Sequence, residues 1–417
     1  MSNQTTPLTE LLSFVVDNRG KSVPTVKSGF PLIATNCIKH SSIYPTYENI
    51  RYVDQHIKNS WFRAHPLPND IIFVNKGTPG RVCLVPDPVP FCFAQDMIGF
   101  RCDPDKIDYQ YLFAVLRSNY IQELIKNYHV GLVIPHFKKG DLDKLLIPRL
   151  ANRKQELSVG DFYLCLSKKI EINNRINTEL EAMAKTLYEY WFVQFDFPDA
   201  NGKPYKTSGG KMVYNATLKR EIPAGWRASN ILSLTDLLGG GTPTKTNPEY
   251  WNGSIPFFTP TDSDKNIYSL NTQDSITDLG LKNSSTRLFE KNTIFITARG
   301  SVGRLALNAV PMAMNQSCYA LKAKQGVSFA FLYFLTKELI HHLEVKATGS
   351  VFNSIVSNDI EYTNLALPDD IGLIDKYAKK IELAFTKIEL LTKENQQLTA
   401  LRDWLLPLLM NGQVTVK

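Results

Sequence analysis

The sequence predicts a mixed α/β protein built as two homologous globular halves, each closed by a long helix. Three observations carry this reading. First, a block is written twice: Asp70-Ile71-Ile72-Phe73-Val74-Asn75-Lys76-Gly77-Thr78-Pro79-Gly80-Arg81 returns as Thr293-Ile294-Phe295-Ile296-Thr297-Ala298-Arg299-Gly300-Ser301-Val302-Gly303-Arg304. The offset is 223 residues, far longer than the period of a solenoid. Second, the chain of 417 residues is too long for one ordinary core, and its 43% hydrophobic and 21% charged content is that of a globular protein. Third, each copy runs into a helical stretch with heptad spacing.

Each element follows from a local pattern. The repeated block is an apolar strand entering a basic residue and then Gly-x-x-Gly-Arg. Ala94-Gln95-Asp96 next faces Asn315-Gln316-Ser317, and Tyr111-Leu112-Phe113 opens a helical stretch matched by Phe331-Leu332-Tyr333. Gly131 with Asp141-Leu142 answers Gly349 with Asp359-Ile360, and Ile147-Pro148 answers Leu367-Pro368. These marks place the first globule at 1–150 and the second at 221–370, with helices over 151–195 and 371–417. Residues 196–220 read as a connector, because Asn201-Gly202-Lys203-Pro204 and Ser208-Gly209-Gly210 break regular structure.

The distal helix carries Tyr377, Ile381, Ala384, Ile388, Leu391, Asn395, Leu398 and Leu405 at steps of four and three, with Arg402 at the missing place. In the first helix Ile176, Leu180, Met183, Leu187 and Tyr190 follow the same steps. This spacing is a coiled-coil signal, and a polar Asn395 inside a seam fixes register. Two readings stay open: the helices pair with each other, or each packs on its own globule. Glu156 and Asp375 fall in early turns, where acids suit the positive helix end. Trp191 and Trp404, at equivalent helix ends, read as packing residues.

The net charge of +7 tilts the chain toward an anionic partner. The charge is uneven: +4 over 1–150, +3 over 151–220, −2 over 221–370 and +2 over 371–417. The second globule therefore needs local positive charge, or a partner's, to hold nucleic acid. The six cysteines form no Cys-x-x-Cys pair, which argues against zinc and fits a reducing cytoplasm. Met1 to Thr6 is polar and shows no secretory pattern, and no apolar run is long enough for a membrane span.

The chain resembles the specificity (S) subunit of type I restriction–modification enzymes over nearly its whole length. The signatures are Leu237-Leu238-Gly239-Gly240-Gly241-Thr242-Pro243, Asn247-Pro248-Glu249-Tyr250-Trp251-Asn252-Gly253 and Ile255-Pro256-Phe257-Phe258-Thr259-Pro260-Thr261-Asp262. Around them stand the two Gly-x-x-Gly-Arg blocks, Lys203-Pro204-Tyr205 with Ser208-Gly209-Gly210-Lys211-Met212, and Leu401-Arg402-Asp403-Trp404-Leu405-Leu406-Pro407. The resemblance implies two target recognition domains, each reading half of a split site in double-stranded DNA. It implies two long antiparallel helices, a coiled-coil-like spacer related by a pseudo-twofold repeat, that sets the half-site spacing. It also implies two modification (methyltransferase) subunits docked on the chain, restriction subunits in the full complex, and no chemistry or cofactor of the chain's own. The first domain departs from the second, with Val23-Pro24 and Phe30-Pro31-Leu32-Ile33-Ala34-Thr35-Asn36 in place of the Gly-Gly-Gly-Thr-Pro and Phe-Phe-Thr-Pro segments, so an asymmetric target is expected.

Two classes of DNA-binding candidate follow. Lys76, Thr78 and Arg81, with Arg299, Ser301 and Arg304, sit on or beside the glycine turns. Glycine lets backbone N–H groups approach phosphate, and arginine offers a bidentate fork. The competing reading is a tight turn whose arginine pairs with a carboxylate. Lys76 and Arg299 hold the same repeat position, which favours a shared backbone role over base reading. Base readers are sought in the unshared loops: Lys27, Thr35, Asn36, Lys39 and His40 in the first half, and Thr242, Thr244, Lys245, Tyr250, Thr259, Thr261 and Asp262 in the second. For any single one of these, plain loop polarity is the competing account.

Catalytic signatures are weak. Asn247-Pro248-Glu249-Tyr250 is similar to the Asn-Pro-Pro-Tyr loop of adenine methyltransferases but lacks the second proline, and no glycine-rich cofactor turn accompanies it. There is no Gly-x-x-x-x-Gly-Lys-Ser/Thr phosphate loop and no visible nuclease centre. A methyltransferase or nuclease fusion, and a coiled-coil scaffold without DNA specificity, are the alternatives.

Overall fold

The computed structural model describes residues 4–18, 20–128, 135–263, 266–347 and 353–416. Gly131 and Gly349 lie outside the described residues. The chain forms two compact units. The first takes the chain up to Asn173 together with the segment from Asn395 onward, and the second takes Asn174–Glu394.

In the first unit an antiparallel sheet runs in the order Leu12–Val16, Met97–Cys102, Ile71–Val74, Val82–Leu84. A second sheet places Phe30–Ile33 between Arg51–Val53, antiparallel, and Cys92–Phe93, parallel. A third pairs Thr5–Pro7 with Leu146–Pro148. The second unit repeats this strand for strand. Its main sheet runs Thr235–Gly239, Cys318–Ala323, Ile294–Thr297, Leu305–Asn308, and adds Tyr268–Ser269 at the edge. Trp251–Phe258 lies between Asp274–Ile276, antiparallel, and Ala313–Met314, parallel. Trp226–Asn230 pairs with Asn364–Pro368.

The repeated block is the centre of each sheet. Ile71 to Val74 and Ile294 to Thr297 are buried throughout, as a strand flanked on both edges requires, and they carry the β-branched and aromatic residues that pack there. Their registers also correspond, Ile71 to Val74 opposite Phe100 to Met97 and Ile294 to Thr297 opposite Leu321 to Cys318. Helices Tyr109–Leu116, capped by Asp108, and Phe329–Lys346, capped by Ser328, cover the cores.

The stretch 196–220 is ordered by its own contacts. Asp196 accepts hydrogen bonds from the Thr207 amide at 2.7 Å and hydroxyl at 2.6 Å, and Phe197 stacks on Tyr205 at 4.7 Å. Met212–Asn215 then pairs with Arg220–Pro223 in a hairpin. The glycines and prolines that read as breakers are its turns.

The long helices are Arg153–Tyr188 and Ile371–Met410. They pair within each unit. In the first, Arg402 lies over the Tyr163 ring at 5.2 Å, and the Asn173 amide donates to Asn395 Oδ1 at 2.8 Å. In the second, Asn177 Nδ2 lies 3.4 Å from Thr392 Oγ1, and the Tyr377 hydroxyl donates to the Ala184 carbonyl at 2.9 Å. In both, residue numbers climb on one helix as they fall on the other, so the pairing is antiparallel. Each helix also packs on the globules. Val159, Tyr163 and Leu164 with Leu406, Leu409 and Met410 enter the first unit's core. Ala184, Tyr188 and Trp191 with Tyr377, Ile381 and Phe385 enter the second's.

The distal seam is as the heptads predict; in the first, Leu180 and Leu187 hold their places, and the alternate positions fall one residue later than Ile176, Met183 and Tyr190. Met183 is 67% exposed and Tyr190 faces solvent. The inward positions are Asn173, Asn177, Leu180, Ala184, Leu187 and Trp191, buried or half-buried. Two are asparagines, so a search for apolar residues misplaces the phase. A second correction concerns the tryptophans: Trp191 is buried, whereas Trp404 is 65% exposed and packs on nothing that would hide it.

Candidate nucleic-acid interface

Each half builds the same cradle around its glycine turn. Gly77 and Gly80 have φ of 86° and 93°, and Gly300 and Gly303 have 84° and 81°. All four are in the left-handed region that disfavours side chains, so the turn itself demands glycine. The turn is closed by Gly80 N–H donating to the Val74 carbonyl at 3.0 Å, and equivalently by Gly303 to Thr297 at 2.9 Å. Two more segments meet it. The Asn75 amide donates to the Asp96 carbonyl at 3.0 Å, and the Ala298 amide to Ser317 at 2.8 Å. Phe137 N–H donates to the Asn75 carbonyl at 2.8 Å, and Ile355 N–H to Ala298 at 2.9 Å. Lys76 is thereby bridged to His136, and Arg299 to Ser354.

Lys76, Arg299 and Arg304 are exposed, and Arg81 is half-buried. Lys76 is exposed and only loosely paired, 3.9 Å from Asp96. Arg299 is exposed, and neither it nor Arg81 has a carboxylate partner among the described residues. Arg304 donates to the Ser263 carbonyl at 3.2 Å. The account in which these arginines serve an internal ion pair therefore fails for the described residues. Thr78 and Ser301 are half-buried in the turns. The Ser301 carbonyl accepts from the Thr297 hydroxyl, so Ser301 helps to shape the loop.

The unshared loops divide into exposed groups and groups committed to the fold. Lys27, Thr244, Lys245 and Thr261 are exposed. Thr35 is half-buried in a short 3-10 turn, Thr35–Cys37. Asn36 donates to the Glu48 carbonyl at 2.6 Å, and Lys39 pairs with the Glu48 carboxylate at 3.0 Å, so this loop is held by its neighbour. His40 follows at the end of the same loop and is exposed, beyond the buried Cys37 and Ile38. Tyr250 is half-buried at the end of a turn that Asn247 caps, its side chain accepting from Glu249 N at 3.1 Å. That cap explains the Asn-Pro-Glu-Tyr run without invoking methyl transfer.

Asp262 is held within its own loop. One carboxylate oxygen accepts from the Thr259 amide at 2.8 Å and hydroxyl at 2.7 Å, and the other accepts from Gln273 N at 2.7 Å. Asp262 and Thr259 are thus a capping box inside their loop, and Thr261 joins it, 2.7 Å from the Thr259 hydroxyl. The Gly-Gly-Gly-Thr-Pro segment has a packing role too. A Cβ on Gly240 would sit 2.2 Å from the Asn315 carbonyl oxygen, and one on Gly241 2.1 Å from the Ser285 hydroxyl. This close approach delivers Thr242, whose hydroxyl bonds to Gln316 beside the second cradle. Sequence reasoning did not single out His136 or Ser354. Their only signal is their place just before Phe137 and Ile355, which align in the repeat.

Comparison with known proteins agrees with this geometry. The family model for the type I restriction modification DNA specificity domain matches twice, at residues 19–182 and 223–400. The type I restriction enzyme MjaIX specificity subunit of Methanocaldococcus jannaschii is 25% identical over 325 residues, covering 76% of this chain and 72% of that protein. The HindI specificity subunit of Haemophilus influenzae is 23% identical over 363 residues, covering 73% and 77%. The crystal structure of the S subunit of the type I system from M. genitalium superposes with a TM-score of 0.53 at 17% identity, over 97% of this chain and 95% of that one. A doubled cradle on doubled sheets and a doubled family match lead to one conclusion: the chain belongs to the type I restriction–modification DNA specificity family, whose members recognise the DNA target.

Proposed function

We propose that the chain is the non-catalytic recognition subunit of a type I complex, in which each globular half reads one half of a bipartite, asymmetric DNA site. The observation that carries this is the doubled cradle: one backbone frame, one outward basic residue at the same place, and different side chains around it. A common frame serves a common duplex, and differing loops serve differing sequences. The paired helices are the spacer between the readers. In the second unit the distal helix presents Leu383 and Leu390 outward, seven residues apart on one face, and in the first it presents Leu401 and Trp404, three apart. Exposed large apolar pairs on a helix otherwise flanked by polar residues fit a docked protein, and modification subunits are the partners this reading requires. No described helix is long and apolar enough to cross a membrane.

Mapping methylated bases in the host genome with and without this gene tests the reading. A split motif that disappears with the gene is expected, and an unchanged methylome overturns it. Lys76→Ala and Arg299→Ala should each weaken DNA binding about equally across sequences. Each should also reduce the slope of log affinity against log salt by roughly 1, as loss of one phosphate contact does. Titrations at several salt concentrations against matched and mismatched duplexes check this. A loss confined to the matched site would make the two residues base readers.

A further inference from the structure

We propose that His136 in the first half and Ser354 in the second are equivalent specificity positions, each meeting a base edge beside the phosphate that Lys76 or Arg299 holds. The proposal rests on the recognition reading above and extends it to residues outside the variable loops.

The bridge and the amide that closes behind it recur in both halves, so the two positions correspond in the backbone. Lys76 is bridged to His136 and Arg299 to Ser354. The amide after each bridged residue closes on the residue before each basic one, at 2.8 and 2.9 Å. On this shared frame the side chains differ in chemistry. Asn75, Asp96 and His136 in the first half stand where Ala298, Ser317 and Ser354 stand in the second. Residues that agree between the halves suit the uniform phosphate backbone. Residues that disagree while held in the same place suit the bases, which are what the two half-sites do not share.

The first cradle also contains a device for aiming the imidazole. Asn75 is only 4% exposed, and its Nδ2 lies 3.3 Å from His136 Nε2. Its Oδ1 is buried with no hydrogen-bond partner among the described residues. A buried amide left half-satisfied is costly, and alanine serves at the same place in the second half. What the asparagine adds is a hold on one ring nitrogen of His136. That hold fixes the ring plane and leaves the Nδ1 edge of a half-buried side chain for a partner. With Nε2 accepting from the Asn75 amide, the other ring nitrogen carries N–H and can donate to a base acceptor. Ser354 can donate in the same way through its hydroxyl and needs no such hold. His136 is thus a reader and Asn75 a positioning residue.

The test uses the full chain assembled with its modification subunits and two duplex libraries, each with one half-site randomised, followed by sequencing of the bound fraction. His136→Ser should change preference at one base pair of one half-site, by about ten-fold, the size of one good base contact. Asn75→Ala should change the same base pair less strongly. A merely structural asparagine would instead lower binding evenly. Ser354→His should alter a base pair in the other half-site only. His136→Asn, which keeps a polar side chain, is judged by the same criterion should His136→Ser fail to assemble. Wild-type preference at every base pair in the histidine variants overturns the proposal, whether or not overall binding falls. Absence of any preference in the wild-type complex would instead overturn the recognition reading beneath it.

Discussion

Removing one heptad from each long helix is expected to shorten the preferred spacer by about three base pairs and leave both half-sites unchanged. Seven helical residues rise about 10.5 Å, at 1.5 Å each, and B-DNA advances roughly 3.4 Å per base pair. A heptad is the unit to remove because it returns the same face to the seam, whereas four residues would rotate everything beyond the cut. Both helices must be cut at facing positions. The structure provides them: the stretch between Leu164 and Asn173 on one helix, and that between Asn395 and Leu405 on the other. Neither cut removes the core anchors Tyr163 and Leu164 or Leu406 and Leu409, although the second takes Arg402 from over the Tyr163 ring. The Asn173–Asn395 pair, which ties the register, is retained. Binding to a library of duplexes that vary only in spacer length reads the outcome. Since the wild-type spacer would no longer fit two readers at once, its affinity should fall to that of a single half-site. Altered half-sites with an unchanged spacer would sink the idea that the helices are a ruler.

The repeat was legible because its physics is local. A buried four-residue strand followed by a turn with two left-handed residues can hardly be written except as an apolar run and Gly-x-x-Gly, so two such turns announce two sheets. The distal seam was legible for the same reason, being mostly Ile, Leu and Tyr. The first seam was not, because Asn173 and Asn177 occupy it and polar residues carry no hydrophobic period. Trp404 misleads in the opposite sense: large and apolar, it reads as core, yet it faces solvent. Among the candidate residues, the sequence named Lys76 and Arg299, both exposed in the structure, but could not tell the exposed Thr244 and Lys245 from Asp262, whose carboxylate is bonded within its own loop. That distinction depends on the capping geometry of Thr259 and Gln273. His136 escaped notice because it meets Lys76 across sixty residues of sequence through a single bridge, which no spacing rule encodes.

Glu156→Ala should destabilise the first unit by about 1–3 kcal/mol, the cost of leaving the partners of a buried carboxylate without their acceptor when Arg149 itself is only partly buried. The sequence offered Glu156 and Asp375 as matching acids at helix starts. The structure gives them different work. Glu156 is 1% exposed, and its Oε1 accepts from Arg149 Nε at 2.6 Å and from the Leu150 amide at 3.2 Å. Its Oε2 accepts from Arg149 Nη2 at 2.9 Å, and the same guanidinium nitrogen donates to the Lys106 carbonyl at 2.9 Å. The pair therefore ties the exit of strand Leu146–Pro148 to the first turn of the long helix, where helix and globule must hold a fixed angle. Alanine leaves Arg149 and the Leu150 amide without their acceptor. Glutamine keeps one acceptor oxygen and should lose less. Asp375 instead pairs with Lys379 at 2.7 Å on the solvent side of the distal helix, and Asp375→Ala should change stability little. Because the chain has two units, a single melting temperature could blend two transitions. Hydrogen exchange at residues 146–164, read against residues 371–388 in the same sample, separates them. Protection at 146–164 that survives Glu156→Ala unchanged would show that the clamp is dispensable, and with it the fixed seating of the first reader on its helix.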